Sequence, residues 1–364
     1  MAFDIYKLVR PHLLQLKPYA SARSEFSGSA KVWLDANENA YGTPGRTINN
    51  AFHRYPDPYQ LSLKERISEI KNIPTDHIFL GNGSDEAIDL LIKVFCLPGT
   101  DNIISLPPTF GMYEVAAAVN DVEVKTASLT DDYQIDQEKV ENAIDKNTKI
   151  IFFCSPNNPT GNLLATDDIL YFLENFSGLV VVDEAYIDFT NQPSFLNKLN
   201  DFPNLVVLQT FSKAWGMAAL RLGAAYASPE ILAFLNKIKL PYNVSTLTQQ
   251  TALEILQNTE QYNSYIAAIK TQRQWLVEQL NSLGIALKIH PADANFMLVK
   301  FTDAASVYQF LVDQGVIVRN RSSVHLCEGG LRITVGTEKE NQLLIDTFKR
   351  YKPTSKSLTS QQNY

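Results

Sequence analysis

Cysteine is scarce in this chain: its 364 residues hold three, Cys96, Cys154 and Cys327. They are odd in number, far apart and set in mostly apolar segments. That excludes a disulfide framework or a cysteine metal cluster and suits reduced thiols in a cytosolic protein. No apolar run approaches the roughly 18 residues that a membrane span needs. Met1 to Pro11 carries charge early and lacks the apolar stretch of a secretory signal, so a cytoplasmic protein is expected. A basic excess is missing as well. Against 32 Lys and Arg stand 39 Asp and Glu, a formal net charge of -7, which gives no electrostatic footprint for nucleic acid. There is no internal repeat, no coiled-coil heptad, no Walker A motif and no dinucleotide fingerprint.

What remains is ordinary globular material, 45% hydrophobic and 20% charged, in a chain long enough for two domains. Residues 1–49 read as an irregular segment with one short strand candidate at Lys31 to Leu34. They cannot fold alone and are expected to pack on the rest of the chain or on a partner. From about residue 60 strands and helices alternate. Ile78 to Leu80, Asn102 to Ser105, Glu123 to Thr126, Lys149 to Cys154, Leu179 to Val182, Leu205 to Thr210 and Leu222 to Ala227 are strand candidates, several of them continuous apolar runs. Such runs belong to strands buried on both faces of a mostly parallel sheet. Asp85 to Phe95 and Asp167 to Asn175 read as helices between them. Residues 50–250 are therefore expected to form a large α/β domain. Residues 251–352 read as a smaller α+β domain, with a long helix from Tyr265 to Leu283, strands at Phe296 to Val299 and Leu331 to Val335, and a helix at Ser306 to Gln314. Residues 353–364 read as a flexible tail.

Most of the polar residues of interest sit where strands of the large domain end, which is where open α/β sheets bind ligands. Asp183 follows an apolar strand, a costly place for a carboxylate without a cationic partner such as a protonated pyridine nitrogen. Lys213 follows the next strand and can reach inward to form a Schiff base with an aldehyde cofactor. Thr210, Ser212 and Arg221 could hold a phosphate dianion. Gly81-Asn82-Gly83-Ser84-Asp85 leads into a helix whose N-terminus favours anions. Ser155-Pro156-Asn157-Asn158-Pro159-Thr160-Gly161 restricts its backbone enough to fix the direction of Asn158. Taken singly, each also has a plain reading, as a strand-end acid, a solvated lysine, a glycine turn or a proline turn.

Their order and spacing are more specific. Asn158-Pro159-Thr160-Gly161, then Asp183-Glu184-Ala185-Tyr186, then Ser212-Lys213 with Arg221 resemble the signature of fold-type I pyridoxal-phosphate aminotransferases, and the resemblance covers nearly the whole chain. Leu34-Asp35-Ala36-Asn37-Glu38-Asn39, Tyr55-Pro56-Asp57-Pro58, Pro107-Pro108-Thr109-Phe110-Gly111-Met112-Tyr113 and Leu331-Arg332-Ile333-Thr334-Val335-Gly336-Thr337 resemble segments of histidinol-phosphate aminotransferases. The resemblance implies a large domain with a mostly parallel seven-stranded sheet plus a smaller α+β domain. It implies that Lys213, Asp183 and Tyr186 are catalytic, with Lys213 carrying the cofactor, Asp183 facing its pyridine nitrogen, and Asn158 and Tyr186 bonding its phenolic oxygen. Gly83, Ser84, Asp85, Thr210, Ser212 and Arg221 would surround the cofactor phosphate. Tyr55 would reach that phosphate from the neighbouring subunit of a homodimer. Phe110 stands where the family usually has a stacking tyrosine, which keeps the face and loses the hydroxyl. Tyr19, Asn37, Asn158, Arg319 and Arg332 would bind substrate, with Arg319 on a phosphate and Arg332 on a carboxylate. His325 reads as a loop histidine. The implied reaction is amino transfer between L-histidinol phosphate and 2-oxoglutarate in histidine biosynthesis. Threonine-phosphate decarboxylases and aromatic aminotransferases share most of these motifs, and a catalytically idle binding module on the same fold is the reading from another class.

Overall fold

The computed structural model describes residues 3–20, 31–45 and 52–352. The tail expected to be flexible lies outside them. All seven strand candidates of the large sheet are strands: β1 (Ile78–Asn82), β2 (Asn102–Ser105), β3 (Glu123–Thr126), β4 (Thr148–Cys154), β5 (Leu179–Asp183), β6 (Leu205–Thr210) and β7 (Leu222–Ala227). Their order is β1-β7-β6-β5-β4-β2-β3. β7 runs antiparallel to both its neighbours, and the other pairings are parallel.

The apolar runs explain why the sheet is covered on both faces. Side chains alternate along a strand, so a run of valines feeds two cores at once. Val180 and Val182 of β5 join Leu205 and Val207 of β6 in one core. Leu179 and Val181 join Val206 and Leu208 in the other. All are fully buried, and each contributes on the order of 1.5–3 kcal/mol relative to exposure. Asp183 closes the β5 run, paired by register with Cys154 on one side and Leu208 on the other. The helix Gly83–Phe95 leaves β1 and lies on the second core with Ala87, Ile88, Leu91 and Phe95 turned inward.

A second sheet of four antiparallel strands, ordered β10-β11-β9-β8, is built from β8 (Lys288–Ile289), β9 (Phe296–Lys300), β10 (Arg319–Asn320) and β11 (Gly330–Thr334). The helices Thr259–Leu283, Ala304–Asp313 and Glu338–Phe348 cover it through Leu276, Leu280, Leu311, Leu344 and Phe348. Thr337 and Glu340 form a reciprocal capping box at the last helix, closing two of its orphan amides.

Three sequence expectations change. Lys31 to Leu34 is not a strand, and Val32 and Leu34 are 68% and 87% exposed. The segment before it is less irregular than expected. Ile5–Leu8 and Pro11–Leu14 are single helical turns that bury Ile5, Val9 and Leu13, and Arg10 donates from its backbone to Val94 O at 3.0 Å. The long helix begins at Thr259, about two turns ahead of Ile266, its first regularly spaced apolar residue. No helix of the described residues is long and apolar enough to cross a membrane.

Gly223 of β7 fixes the distance between the sheet and the start of the Gly83–Phe95 helix. A Cβ there would lie 2.1 Å from Ser84 N and 2.3 Å from Gly83 C, both rigid backbone. Gly223→Ala is expected to destabilise the fold by about 1–3 kcal/mol, the usual cost of overpacking. It should also push Ser84 out of place, so that urea midpoint and anion binding fall together. An unchanged midpoint would show that this approach is slack.

Candidate active site

A cavity of about 700 Å³ opens at the carboxyl ends of β4, β5 and β6. It gathers Ser84, Phe110, Asn158, Asp183, Tyr186 and Lys213. Gly83, Asp85, Thr210, Ser212, Arg221 and Arg332 complete the part of its wall that the sequence pointed to.

At its base Asp183 is 2% exposed. One carboxylate oxygen accepts from Tyr113 Oη at 2.7 Å, and the other from Ala185 N at 3.1 Å. Burial raises its pKa from 3.8 to about 6, and those two hydrogen bonds oppose the shift. Tyr113 is itself fully buried and stacked on Phe152 at 4.6 Å, so its hydroxyl is locked onto the carboxylate. Phe110 meets the edge of Tyr113 at 5.6 Å and presents a ring to the cavity. Glu184, also buried and pushed up to about 7, is bonded instead by Phe195 N at 2.7 Å and Gln209 Nε2 at 2.9 Å, which ties down the following loop.

Lys213 is reachable from the cavity, with its Nζ 5.8 Å from the Tyr186 ring centroid. Its pKa is lowered from the ordinary lysine value, first by lost hydration around the ammonium, then by Arg332 and Arg221. That makes it a better nucleophile and base near neutrality. Asn158 links two neighbours. Its Nδ2 lies 3.5 Å from Tyr186 Oη, and its Oδ1 accepts from Arg332 Nη1 at 2.5 Å. Arg332 comes from β11 of the smaller sheet and lies over the Phe296 ring at 5.2 Å.

Beside Lys213, Gly83 and Ser84 start a helix whose first amides have no intrahelical acceptor. Gly83 takes a φ of +73°, and its N–H donates to Arg221 O at 2.7 Å. Arg221 is itself left-handed, at φ +53°, a conformation that non-glycine residues adopt at some cost. Its Nη2 lies 3.2 Å from Asp85 Oδ2, so the Asp85 carboxylate is turned to the guanidinium and only its backbone amide is left to face an anion.

Four expected site residues are not brought into this cavity. Tyr55 and Asn37 line a separate groove, where Tyr55 stacks on Tyr242 at 4.4 Å. Tyr19 is 77% exposed in a third groove with Lys237 and Lys239. Arg319 is exposed and lines a groove with Tyr308 and Ile317, reached past Arg332. Conversely, the wall includes Arg321 and His325, and the base rests on Tyr113, none of which the motifs had assigned a role. The signal for Tyr113 was its place three residues after Phe110, at the start of the helix Met112–Val119.

The aminotransferase class I and II family model matches residues 25–348. The chain belongs to that family. The histidinol-phosphate aminotransferase of Cytophaga hutchinsonii is 52% identical over 96% of this chain and all of that one. The crystal structure of the histidinol-phosphate aminotransferase from Clostridium acetobutylicum shares 25% identity at a TM-score of 0.76, covering 83% of this chain and 91% of that one. The fold also matches a Sinorhizobium meliloti histidinol-phosphate aminotransferase solved with pyridoxal-5'-phosphate, at 22% identity and TM-score 0.75, over 86% of this chain and 89% of that one. The likeness read from the motifs is therefore borne out, as is the fold-type I architecture. For this aminotransferase-family chain the donor set suits pyridoxal phosphate. A buried carboxylate without an ion-pair partner among the described residues has room in front of it for a cation. A lysine and a set of backbone and side-chain anion donors stand alongside.

The raised pKa of Asp183 sets a pH signature for the cofactor-free protein. Between 3.8 and about 6 the folded state binds this proton more tightly than the unfolded state. Its contribution to stability is therefore full below the ordinary carboxylate value and is lost as pH rises to about 6. Asp183→Asn removes that loss. The cofactor-free variant should melt above the cofactor-free wild type past pH 6 and converge with it towards pH 4. Added pyridoxal phosphate at neutral pH should reverse the order, because asparagine offers no charge to a pyridinium. Melting curves without that crossover would refute the pairing.

Proposed function

We propose that the chain transfers an amino group between L-histidinol phosphate and 2-oxoglutarate, giving imidazole-acetol phosphate and L-glutamate in histidine biosynthesis, with pyridoxal phosphate as cofactor. The full-length identity to a histidinol-phosphate aminotransferase is the observation that carries this reading. The cavity supports it chemically, with a carboxylate at its base that has no ion-pair partner among the described residues and with the Arg332 guanidinium in its lining. Both substrates are anions, a phosphate monoester amine and a dicarboxylate, and a guanidinium binds either.

Bound pyridoxal phosphate supplies the aldehyde that takes up the amino group and the electron sink for the carbanion at substrate Cα. Lys213 Nζ would hold it covalently, and its amine, when free, would take and return the proton at substrate Cα as a base of lowered pKa. Asp183 would keep a facing nitrogen protonated. Tyr113 holds that carboxylate in one orientation. Asn158 and Tyr186 would bond the phenolic oxygen, Phe110 would stack on the ring, and Ser84, Thr210, Ser212 and Arg221 would grip the cofactor phosphate beside Gly83, assisted by the backbone amide of Asp85.

The reading includes a homodimer in the cytoplasm. Tyr19, Leu34, Tyr41 and Tyr55 are exposed apolar side chains concentrated before residue 62, a distribution that suits a buried interface. In a dimer, Tyr55 and Asn37 would serve the partner's cavity, which accounts for their distance from their own. The three cysteines are free and buried, as in a reducing compartment.

Purified protein should use histidinol phosphate with 2-oxoglutarate and show a visible cofactor band. Borohydride should fix the cofactor to Lys213, read by peptide mass, and Lys213→Ala should lose activity by about 10⁴-fold or more while still folding, as when a catalytic residue of a concerted unit is removed. Carbon dioxide release from threonine phosphate, or preference for phenylalanine as amino donor, would overturn the substrate assignment. Attachment to another lysine would overturn the role of Lys213.

A further inference from the structure

We propose that Tyr133 is a positioning residue for the amino donor, and that its phenolic hydroxyl sets the loop 321–329 that walls the cavity. The inference rests on the reading of this cavity as the place where pyridoxal phosphate and an amino donor meet.

The loop joins β10 to β11, so by sequence it belongs to the small sheet. Its packing is with the large one. Val324, Leu326 and Cys327 join the core that contains Val180 and Val182 of β5, and Tyr133 is buried in that same core. Val324 and His325 line the cavity. Successive turns stiffen the loop. Val324 N donates to Arg321 O at 2.9 Å, Cys327 N to Val324 O at 2.9 Å, and Gly330 N to Cys327 O at 2.8 Å. A shift at Leu326 is therefore passed on to its neighbours at the cavity wall.

Leu326 is gripped at one atom. Its carbonyl oxygen accepts from Tyr133 Oη at 2.8 Å and from Lys300 Nζ, at the end of β9, at 2.9 Å. Burial raises the pKa of Tyr133, so the phenol keeps its proton and donates. Both ends of this bond lie in the left-handed region, Tyr133 at φ +59° and Leu326 at φ +62°. Bulky residues stay there only where their surroundings hold them. Around Tyr133 those surroundings are the loop after β4. Asn162 Nδ2 donates to Tyr133 O at 2.9 Å, and Asn157 N donates to Asn162 O at 2.8 Å, one residue before Asn158. The phenol ring lies 4.8 Å from the His290 ring, which fixes it from the other side. Tyr133 thus spans the loop that carries Asn158 and the loop that carries His325, two walls of one cavity.

Wild type, Tyr133→Phe and Lys300→Met are compared as cofactor-loaded proteins. Tyr133→Phe keeps the ring and removes only the hydroxyl, and Lys300→Met removes the other donor to the same oxygen. The half-reaction with histidinol phosphate is followed by loss of the visible band. Hydrogen exchange is read by mass on the peptide covering 321–329. Tyr133→Phe should raise the half-saturating concentration about two- to tenfold, the range of one neutral hydrogen bond, with the maximal rate and the Kd of the cofactor unchanged. Exchange should quicken in that peptide and not over β5 or β6. Lys300→Met should move both readouts in the same direction. An unchanged half-saturating concentration in Tyr133→Phe overturns the assignment. So does a loss spread over cofactor affinity, maximal rate and exchange throughout the large sheet, which would mark Tyr133 as part of the core alone. If wild type does not react with histidinol phosphate, the substrate reading fails separately. The exchange comparison then decides alone: local quickening in Tyr133→Phe supports its hold on the wall, and unchanged exchange refutes it.

Discussion

Asp183 is a carboxylate held out of water at the end of a strand whose neighbours are all apolar, and the surrounding site is organised by that cost. Burial alone would drive it to its neutral form, where it could attract nothing. Tyr113 Oη and Ala185 N oppose this, each stabilising the ionised state without supplying charge. The outcome is a group balanced near neutrality, whose ionisation is completed by whatever cation sits in front of it. The placement of Asp183 follows from the register of β4, β5 and β6, whose ends lie side by side. Tyr113 is fixed by its stack on Phe152 of β4, so the packing of the core bears directly on the chemistry of the base.

Much of this was legible in the sequence because the strands of the large sheet are written as continuous apolar runs. Leu179 to Val182 and Leu205 to Thr210 could hardly be read otherwise, and the residues that end them mark the ligand-binding edge. Asp183, Lys213, Asn158, Tyr186 and the Ser84 turn all meet in one cavity as their order implied. The strands β8 and β10 were not legible, since two residues carry no periodicity. Lys31 to Leu34 misled for the opposite reason, because its apolar side chains suggested a strand although Val32 and Leu34 are exposed. The two helical turns at Ile5 and Pro11 are too short to announce themselves and exist through their docking on the Gly83–Phe95 helix.

The substrate side was less legible, and the cause is again register. The resemblance gave substrate roles to Arg319 and Arg332, and the β10–β11 pairing sets the two side by side. It does not say which way a two-residue edge strand turns its side chains relative to a cavity formed mostly by another sheet. Arg332 crosses between the two, reaching from β11 to Asn158 on the loop after β4. This bond is one of several that join the loops of the two sheets, alongside Asp293 N to Gly161 O at 2.7 Å and Tyr133 Oη to Leu326 O at 2.8 Å.

The close approach of Gly223 to Ser84 has a bearing on how the anion cradle can change over time. The cradle's inner surface there is main chain, with Gly83 N already tied to Arg221 O across the β1–β7 pair. Most binding sites drift by exchanging side chains, one substitution at a time. This part has none to exchange. Its position is encoded in how β1 and β7 align, and a slip of one residue would turn every side chain of β7 to the opposite face. The proposed anion site therefore inherits the permanence of the sheet's pairing, whereas Arg332 enters the same cavity as a side chain.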